Sequence, residues 1–348
     1  MDPDGKGRRS IARTIRRGIE SVVFGDTLLP QEFTIGLTDP QTEISVWLHG
    51  MGAPRDVTSR HSTACSSPFV ICIGFDKGQE PSQKQRGRLS LKFCERSGRQ
   101  RVLGEIGLKP ATTAAPISVA DSEILFFEAR SSANYCLPKM RLCAHYLRHA
   151  YSLRHVNMKG MEMSFLERNA AIVTFIRPHP VSLVSAVDSF GGNIFTMNLM
   201  GDLGNGHFGF GLKESRTAAP IVERAGRIAL STVPLPQAQF VFQLAANHFK
   251  QSVEWDELPF KTRMSPTFGI PVPVFAARVR EMEVEELRRI GSHTFFVARV
   301  VADQSLSTSA IVCAIHGFYQ AWRLKGRAME LKAAIEKDLF NKQGRSHR

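Results

Sequence analysis

Between Lys213 and Thr217 the run Lys-Glu-Ser-Arg-Thr gathers two cations and two hydroxyls within five residues. Pro220 follows at a first-turn position and Gly226 supplies a stop, so the run sits at the start of an expected helix. Cations, hydroxyls and a helix N-terminus together offer charge, donors and a favourable dipole to a phosphate dianion. The same residues also describe a capped helix with solvated charges. His293, in Gly291-Ser292-His293-Thr294, heads an apolar run. It is either a group that titrates near neutrality and works on a ligand, or an ordinary turn residue. Gly204, Gly206 and Gly209 spell G-x-G-x-x-G. A dinucleotide fingerprint needs a helix directly afterwards and an acid about 20 residues on. Instead Phe210-Gly211-Leu212 continues as a short apolar strand, so residues 201–209 are expected to be a flexible loop.

Other chemistries find no support. No nucleophile-elbow signature is present. His145, His149 and His155 fall at helical intervals but lack the carboxylate pattern of a zinc protease helix. The six cysteines include no CxxC pair and suggest no disulfide framework, which suits reduced thiols in a cytoplasmic protein. The N-terminus has no apolar core of the signal-peptide type, and no run approaches the roughly 18 apolar residues of a membrane span.

The elements that must position these residues are short. Val181, Leu183, Ser185 and Val187 alternate with Ser182, Val184, Ala186 and Asp188, predicting a half-buried strand. Residues 189–192 form a turn and 193–200 a returning strand. Ile228–Val233 is a further strand, ended by Pro234 and Pro236, and Phe240, Leu244, Ala245 and Phe249 share one face of the next helix. Phe275–Glu281 and Thr294–Val301 are later strands, and Ile311–His316 extends the sheet. Upstream, Leu89–Glu95 and Arg101–Leu108 form a hairpin, residues 78–87 a polar loop and 111–116 a turn. Phe318, Trp322, Met329, Ala333 and Phe340 mark a C-terminal helix. The expected organisation is a basic tail (1–27), a β-rich N-terminal domain (28–158), a barrel (159–306) and a closing strand and helix (307–348). Short antiparallel strands with few helices predict a β-rich α+β fold containing a small barrel.

With 45 Lys and Arg against 32 Asp and Glu, the chain carries a formal charge of +13. That favours anionic partners. The basic residues are dispersed over the tail, the middle and the C-terminal helix, without an aromatic-basic RNA-binding run or zinc-finger spacing. A nucleic-acid-associated protein stays open as a third class; solvated basic surface explains the charge more simply.

Taken in order, residues from about 171 to 303 resemble the flavin reductase-like family of FMN-binding split barrels. In that family the second strand carries an Asn-x-Met-Thr-x-Ser-type run lining the flavin. Here Asn193, Thr196, Met197 and Asn198 stand at the matching place. A basic-Ser-x-x-Thr run that grips the FMN phosphate comes next, matched by Lys213, Ser215, Arg216 and Thr217 one residue tighter. The family's Gly-Asp-His before its last strand is matched by Gly291-Ser292-His293, with Ser292 in place of the acid. The usual Ser-x-x-x-Pro-Pro loop is replaced by the proline-free stretch 201–209.

The resemblance implies an NAD(P)H-dependent oxidoreductase in which FMN takes hydride and passes electrons to a free flavin, an oxygenase partner or a small molecule, with His293 at the nicotinamide. The alternative is a split barrel that binds flavin or another anionic ligand without turnover, as a sensor or partner-binding module. The N-terminal domain is either a degenerate second split barrel or an unrelated β-rich domain. Residues 56–74 look like the family's Thr strand and following apolar strand, and 134–138 echo Ser231-Thr232-Val233-Pro234. A second copy would mimic the family's homodimer in one chain, with Arg55, Thr58 and His61 facing the flavin; otherwise the chain itself forms a homodimer.

Overall fold

A computed structural model of the chain describes residues 32–37, 43–144, 146–147 and 164–324. The tail 1–27, the expected boundary at 158, His145, His149, His155 and residues from 325 on lie outside them.

The first half runs β1 (Glu32–Leu37), β2 (Ile44–His49), β3 (Arg55–Asp56), β4 (His61–Ser66), β5 (Phe69–Asp76), α1 (Gln83–Arg86), β6 (Ser90–Glu95), β7 (Val102–Pro110), β8 (Ile117–Val119) and β9 (Ser122–Asn134). Next come α2 (Phe165–Thr174) and β10 (His179–Pro180). The second half continues with β11 (Ser182–Asp188), β12 (Gly191–Met197), β13 (Met200–Gly204), β14 (His207–Lys213), α3 (Ala218–Ala225) and β15 (Arg227–Thr232). After α4 (Ala238–Gln243) follow β16 (Thr262–Met264), β17 (Pro271–Pro273), β18 (Arg278–Ile290), β19 (His293–Ser305), β20 (Ile311–His316) and α5 (Gly317–Leu324). The β-rich α+β expectation holds.

Two large antiparallel sheets carry the fold. The order is β3-β2-β6-β7-β9-β5-β4 in the first, with β8 beside β9, and β12-β11-β15-β18-β19-β14-β13 in the second. Setting β8 aside and numbering the strands of each sheet along the chain, both sheets run 2-1-5-6-7-4-3. In the second sheet only Asn198 and Leu199 separate edge strand β12 from edge strand β13. The edges therefore lie side by side and the sheet rolls up. Phe195 and Met197 from one edge share a core with Met200 from the other and with Phe208 of the adjoining β14. That is a barrel split between β12 and β13.

β11 is buried on both faces from Ser182 to Ala186, and not half-buried as its alternation suggests. Val184 and Ala186 face the barrel core while Leu183 packs under Val241 and Leu244, so the segment after β15 covers the other face. The stretch 201–209, expected as a flexible loop, is the β13–β14 hairpin. Asn205 and Gly206 take φ of 49° and 74°, the left-handed pair that a two-residue hairpin turn demands. The hairpin of 89–95 with 101–108 forms as expected. β20 does not extend the barrel: it pairs with β1 and β10 in a sheet of three strands. The expected helix through Phe249 breaks after Gln243 into a 3-10 segment, Leu244–Phe249, leaving Phe249 64% exposed. α5 packs through Phe318 and Tyr319 on the core of the first sheet.

The halves meet through a shared core in which Ala64, Cys65, Val70 and Phe126 pack with Leu203, Phe295 and Val297. No described helix is long and apolar enough to cross a membrane.

Two buried histidines give the fold a pH signature. Burial, reinforced by the nearby Arg177 cation, pushes His61 down to about 3 and His179 to about 4. Their folded values lie below the ordinary 6.5, so the unfolded chain takes up protons first. Stability from this source is complete above about pH 6.5 and is lost as pH falls toward 4, at about 1.4 kcal/mol per unit for each histidine. Urea midpoints are expected to drop steadily between pH 7 and pH 5. A flat profile there would contradict the burial of these rings.

Candidate functional site

One corner of the barrel gathers the chemistry-bearing residues: the ends of β12 and β14, the start of α3, the start of β19 and residues 241–250. β14 ends at Lys213 directly opposite His293. Beyond it the chain turns sharply, Glu214 N donating to Ser292 O at 3.1 Å and Arg216 N to Lys213 O at 3.2 Å. α3 then starts at Ala218 and stops at Gly226, whose φ of 63° a glycine accepts without strain. Lys213 and Arg216 are half-buried, and Ser215 is exposed between them. Among the described residues neither cation has a carboxylate partner. The neighbouring Glu214 lies instead 4.0 Å from Arg289 and accepts from Thr294 Oγ1 at 3.4 Å. The Arg216 guanidinium stacks over Phe249, 4.9 Å from the ring centre. Two uncompensated cations beside a hydroxyl at a helix start fit a phosphate dianion.

His293 is 3% exposed. Burial, then the Lys213 and Arg216 charges, lower it to about 4, so the ring is neutral at physiological pH. Its Nδ1 lies 2.9 Å from Ser292 Oγ and 3.5 Å from Cys65 Sγ, which β4 of the first sheet brings across. Ser292 N donates to Ser67 O at 3.0 Å, so a turn of the first half rests on this corner.

The other sequence-marked residues divide. Asn193 is fully buried, and its Nδ2 donates to the carbonyls of Asn247 (3.0 Å) and Lys250 (2.8 Å). Thr196 Oγ1 donates to Val241 O at 2.5 Å. Thr217 Oγ1 reaches the carbonyls of His248 (2.9 Å) and Lys250 (2.7 Å). These three brace the 241–250 segment against the barrel. Met197 belongs to the barrel core, and Asn198 is half-buried where the chain crosses to β13. The structure thus brings Lys213, Ser215, Arg216 and His293 to one place, with Asn198 on the adjoining edge. It commits Asn193, Thr196 and Thr217 to support.

Sequence reasoning missed His248, Phe249 and Cys65. His248 Nε2 donates to Thr196 O at 2.6 Å, and its ring lies 4.8 Å from Phe195. Burial first, then the Arg216 charge, lower its pKa. Its local sequence carries no signal, because its role depends on the break after α4. Cys65 lies 228 residues from His293, a pairing only the fold reveals.

A separate cavity of about 690 Å³ lies between Arg177, Arg278, Arg280, Asp202, Asp303 and Phe208. None of the nine marked residues lines it. Its charges are largely spent on each other: Arg278 grips Asp303 at 2.6 and 2.5 Å, and Arg280 reaches Asp202 at 2.8 Å. Among the described residues no cluster of three or more His, Cys, Asp or Glu is arranged to hold a metal ion.

A family model described as flavin reductase like domain matches residues 176–309, which include the whole second sheet and all nine marked residues. No curated protein matches the chain. Among solved structures, it is similar to an FMN-binding protein from Thermus thermophilus with bound 1-cyclohex-2-enone, at 23% identity over 37% of this chain and 71% of that one, TM-score 0.33. It is also similar to an NADH:FAD oxidoreductase from Streptomyces globisporus C-1027, at 16% identity over 43% and 89% of the two chains, TM-score 0.38. The styrene monooxygenase flavin reductase from Pseudomonas putida S12 matches at 22% identity over 40% and 89%, TM-score 0.33.

Proposed function

We propose, starting from a flavin reductase like domain at residues 176–309, that the chain binds FMN at this corner and works as an NAD(P)H-dependent flavin oxidoreductase. The observation that supports it best is the pair of uncompensated cations, Lys213 and Arg216, meeting His293 where the domain resembles its family's phosphate and nicotinamide positions. Lys213, Ser215 and Arg216 hold the phosphate. Asn198 and the backbone at the end of β12 meet the polar rim of the ring, while Met197 shapes the wall behind it. Asn193, Thr196 and Thr217 hold the 241–250 segment, with Phe249, in place over Arg216. Bound FMN supplies a ring that accepts hydride and releases electrons singly or in pairs. His293, held neutral, offers one N–H and one lone pair and adds no positive charge at the nicotinamide. A free flavin, an oxygenase partner or a small molecule accepts the electrons.

One observation favours a second reading, a flavin-binding module without turnover: His293 is packed behind Ser292 and Cys65 and is 3% exposed. The visible spectrum of the protein mixed with FMN and then freed of excess tests the first step. A retained flavin spectrum, with FMN released by heat and identified by mass, is the expected result. A colourless protein refuses both readings. Anaerobic bleaching by NADH or NADPH then separates the oxidoreductase from the module.

A further inference from the structure

The two large sheets agree in more than strand order. Asp76 closes β5 opposite Ser122, the first residue of β9; Lys213 closes β14 opposite His293, the first of β19. The next amides repeat the pattern, Lys77 N donating to Asp121 O at 3.0 Å and Glu214 N to Ser292 O at 3.1 Å. One residue before Asp121 and Ser292 the backbone is left-handed in both, Ala120 at φ 40° and Gly291 at φ 55°. Each third strand has its bulge at the same step, between Thr63 and Cys65 and between Asp202 and Gly204. Gly74 N donates to Arg60 O at 2.8 Å as Gly211 N does to Leu199 O at 3.0 Å. Counting from these pairs, Gly74 is equivalent to Gly211, Ala64 to Leu203 and Arg60 to Leu199.

Contacts between the halves are reciprocal. A Cβ on Gly74 would stand 2.0 Å from Leu203 O, and one on Gly211 would stand 2.8 Å from Ala64 O. The β4–β5 turn rests on the second half through Ser67 O and Ser292 N. In return, the β13–β14 turn places Asn205 Nδ2 2.8 Å from Asp76 Oδ1 and 3.0 Å from Ser122 Oγ. A contact of i with j matched by one of j with i is the mark of a two-fold axis.

We propose that the halves are two copies of one unit paired about a pseudo-two-fold axis, the first copy serving as built-in partner to the flavin site of the second. The reciprocal site in the first copy has become a structural lock that takes no flavin. The identity of the ligand rests on the flavin reading above; the lock does not.

The substitutions at equivalent positions carry the argument. Where the second copy has Lys213, Ser215, Arg216 and Thr217, the first has Asp76, Gly78, Gln79 and Glu80. Both cations and both hydroxyls are gone from these four positions and two carboxylates stand among them, while Lys77 replaces Glu214, so the run's formal charge goes from +1 to −1, which disfavours a phosphate. Ser122 replaces His293. Arg60, in place of Leu199, donates from Nη1 to Asp76 Oδ1 at 2.7 Å, and a Cβ on Gly204 would meet its guanidinium at 3.0 Å. Arg60, Asp76, Asn205 and Ser122 thus bond to one another across the place where a ligand would enter, whereas Lys213 has no such partner among the described residues.

Titration of the full chain with FMN, run beside thermal melts, tests this. One FMN per chain is expected, weakened at least tenfold by Lys213→Ala and unaffected by Asp76→Ala. Asp76→Ala is expected to lower Tm by about 1.5–4 °C, since it strips Arg60 and Asn205 of their acceptor, while Lys213→Ala leaves Tm within about 1 °C. Two FMN per chain, or an Asp76→Ala melt identical to the unaltered protein, would overturn the proposal. If no FMN binds at all, the flavin reading falls by itself and the pair of melts still decides the lock.

Discussion

Replacing Lys213 and Arg216 together by alanine is expected to weaken FMN binding by about 10²- to 10⁴-fold while leaving riboflavin binding nearly unchanged. A charge-assisted hydrogen bond contributes roughly 1.5–3 kcal/mol, and about 1.4 kcal/mol corresponds to a factor of ten in affinity. Two such contacts give that range, and half-burial at the corner places the result toward its lower end. Riboflavin lacks the phosphate, so it isolates the contact at issue. The fold tolerates the change, because neither side chain has a carboxylate partner among the described residues; Arg216 gives up only its stacking on Phe249. Fluorescence quenching of each flavin on the variant provides the readout. Equal losses for FMN and riboflavin would mean that these cations do not hold the phosphate.

Gly74→Ala is expected to be the most damaging small substitution in the described chain. Its Cβ would lie 2.0 Å from Leu203 O and 2.9 Å from the carbonyl carbon, both backbone atoms. Neither side has room to retreat. Gly74 N is bonded to Arg60 O at 2.8 Å, and Arg60 itself bridges to Leu203. Forcing the sheets apart there costs about 3 kcal/mol or more, a fall in Tm of roughly 4 °C or more for a chain of 348 residues. Gly87→Ala is the control: nothing lies within 4 Å of its Cβ and its φ is −82°, so it is expected to stay within about 0.5 kcal/mol of the unaltered protein. Similar melts for the two would show that the halves do not pack as closely as described.

Much of the barrel was legible because its signals are local. The strand from Ile228, the hairpin after Leu89 and the Gly226 stop each depend on a few consecutive residues, and each appears where expected. Lys213, Ser215 and Arg216 were legible for the same reason: charge and hydroxyls cluster in the chain before they cluster in space. What depends on distant partners was hidden. Gly201 and Gly209 suggested a loop, but each lies where a backbone or ring crosses closely: His61 O and Phe295 stand 2.5 and 2.6 Å from their would-be Cβ atoms. Asn193 and Thr196 carry the family's lining pattern, yet Asn193 Nδ2 and Thr196 Oγ1 donate to carbonyls of a segment some fifty residues away. The echo of 231–234 at 134–138 was misplaced. Residues 134–138 close the seventh strand of the first sheet, whereas 231–234 close the fifth strand of the second. Strand pairing aligns Ser122 with His293 instead, and those side chains share nothing that a sequence comparison would notice.

The turn that rests on His293 and Ser292 belongs to the same polypeptide. When a covering element comes from a separate molecule, mass action governs the site, and dilution empties it as the subunits part. Here the chain itself sets the local concentration of the cover, of millimolar order for a flexible tether and unaffected by how much protein is present. Ligand affinity should therefore hold constant down to nanomolar protein, so scarcity of the chain in its surroundings would not disarm it.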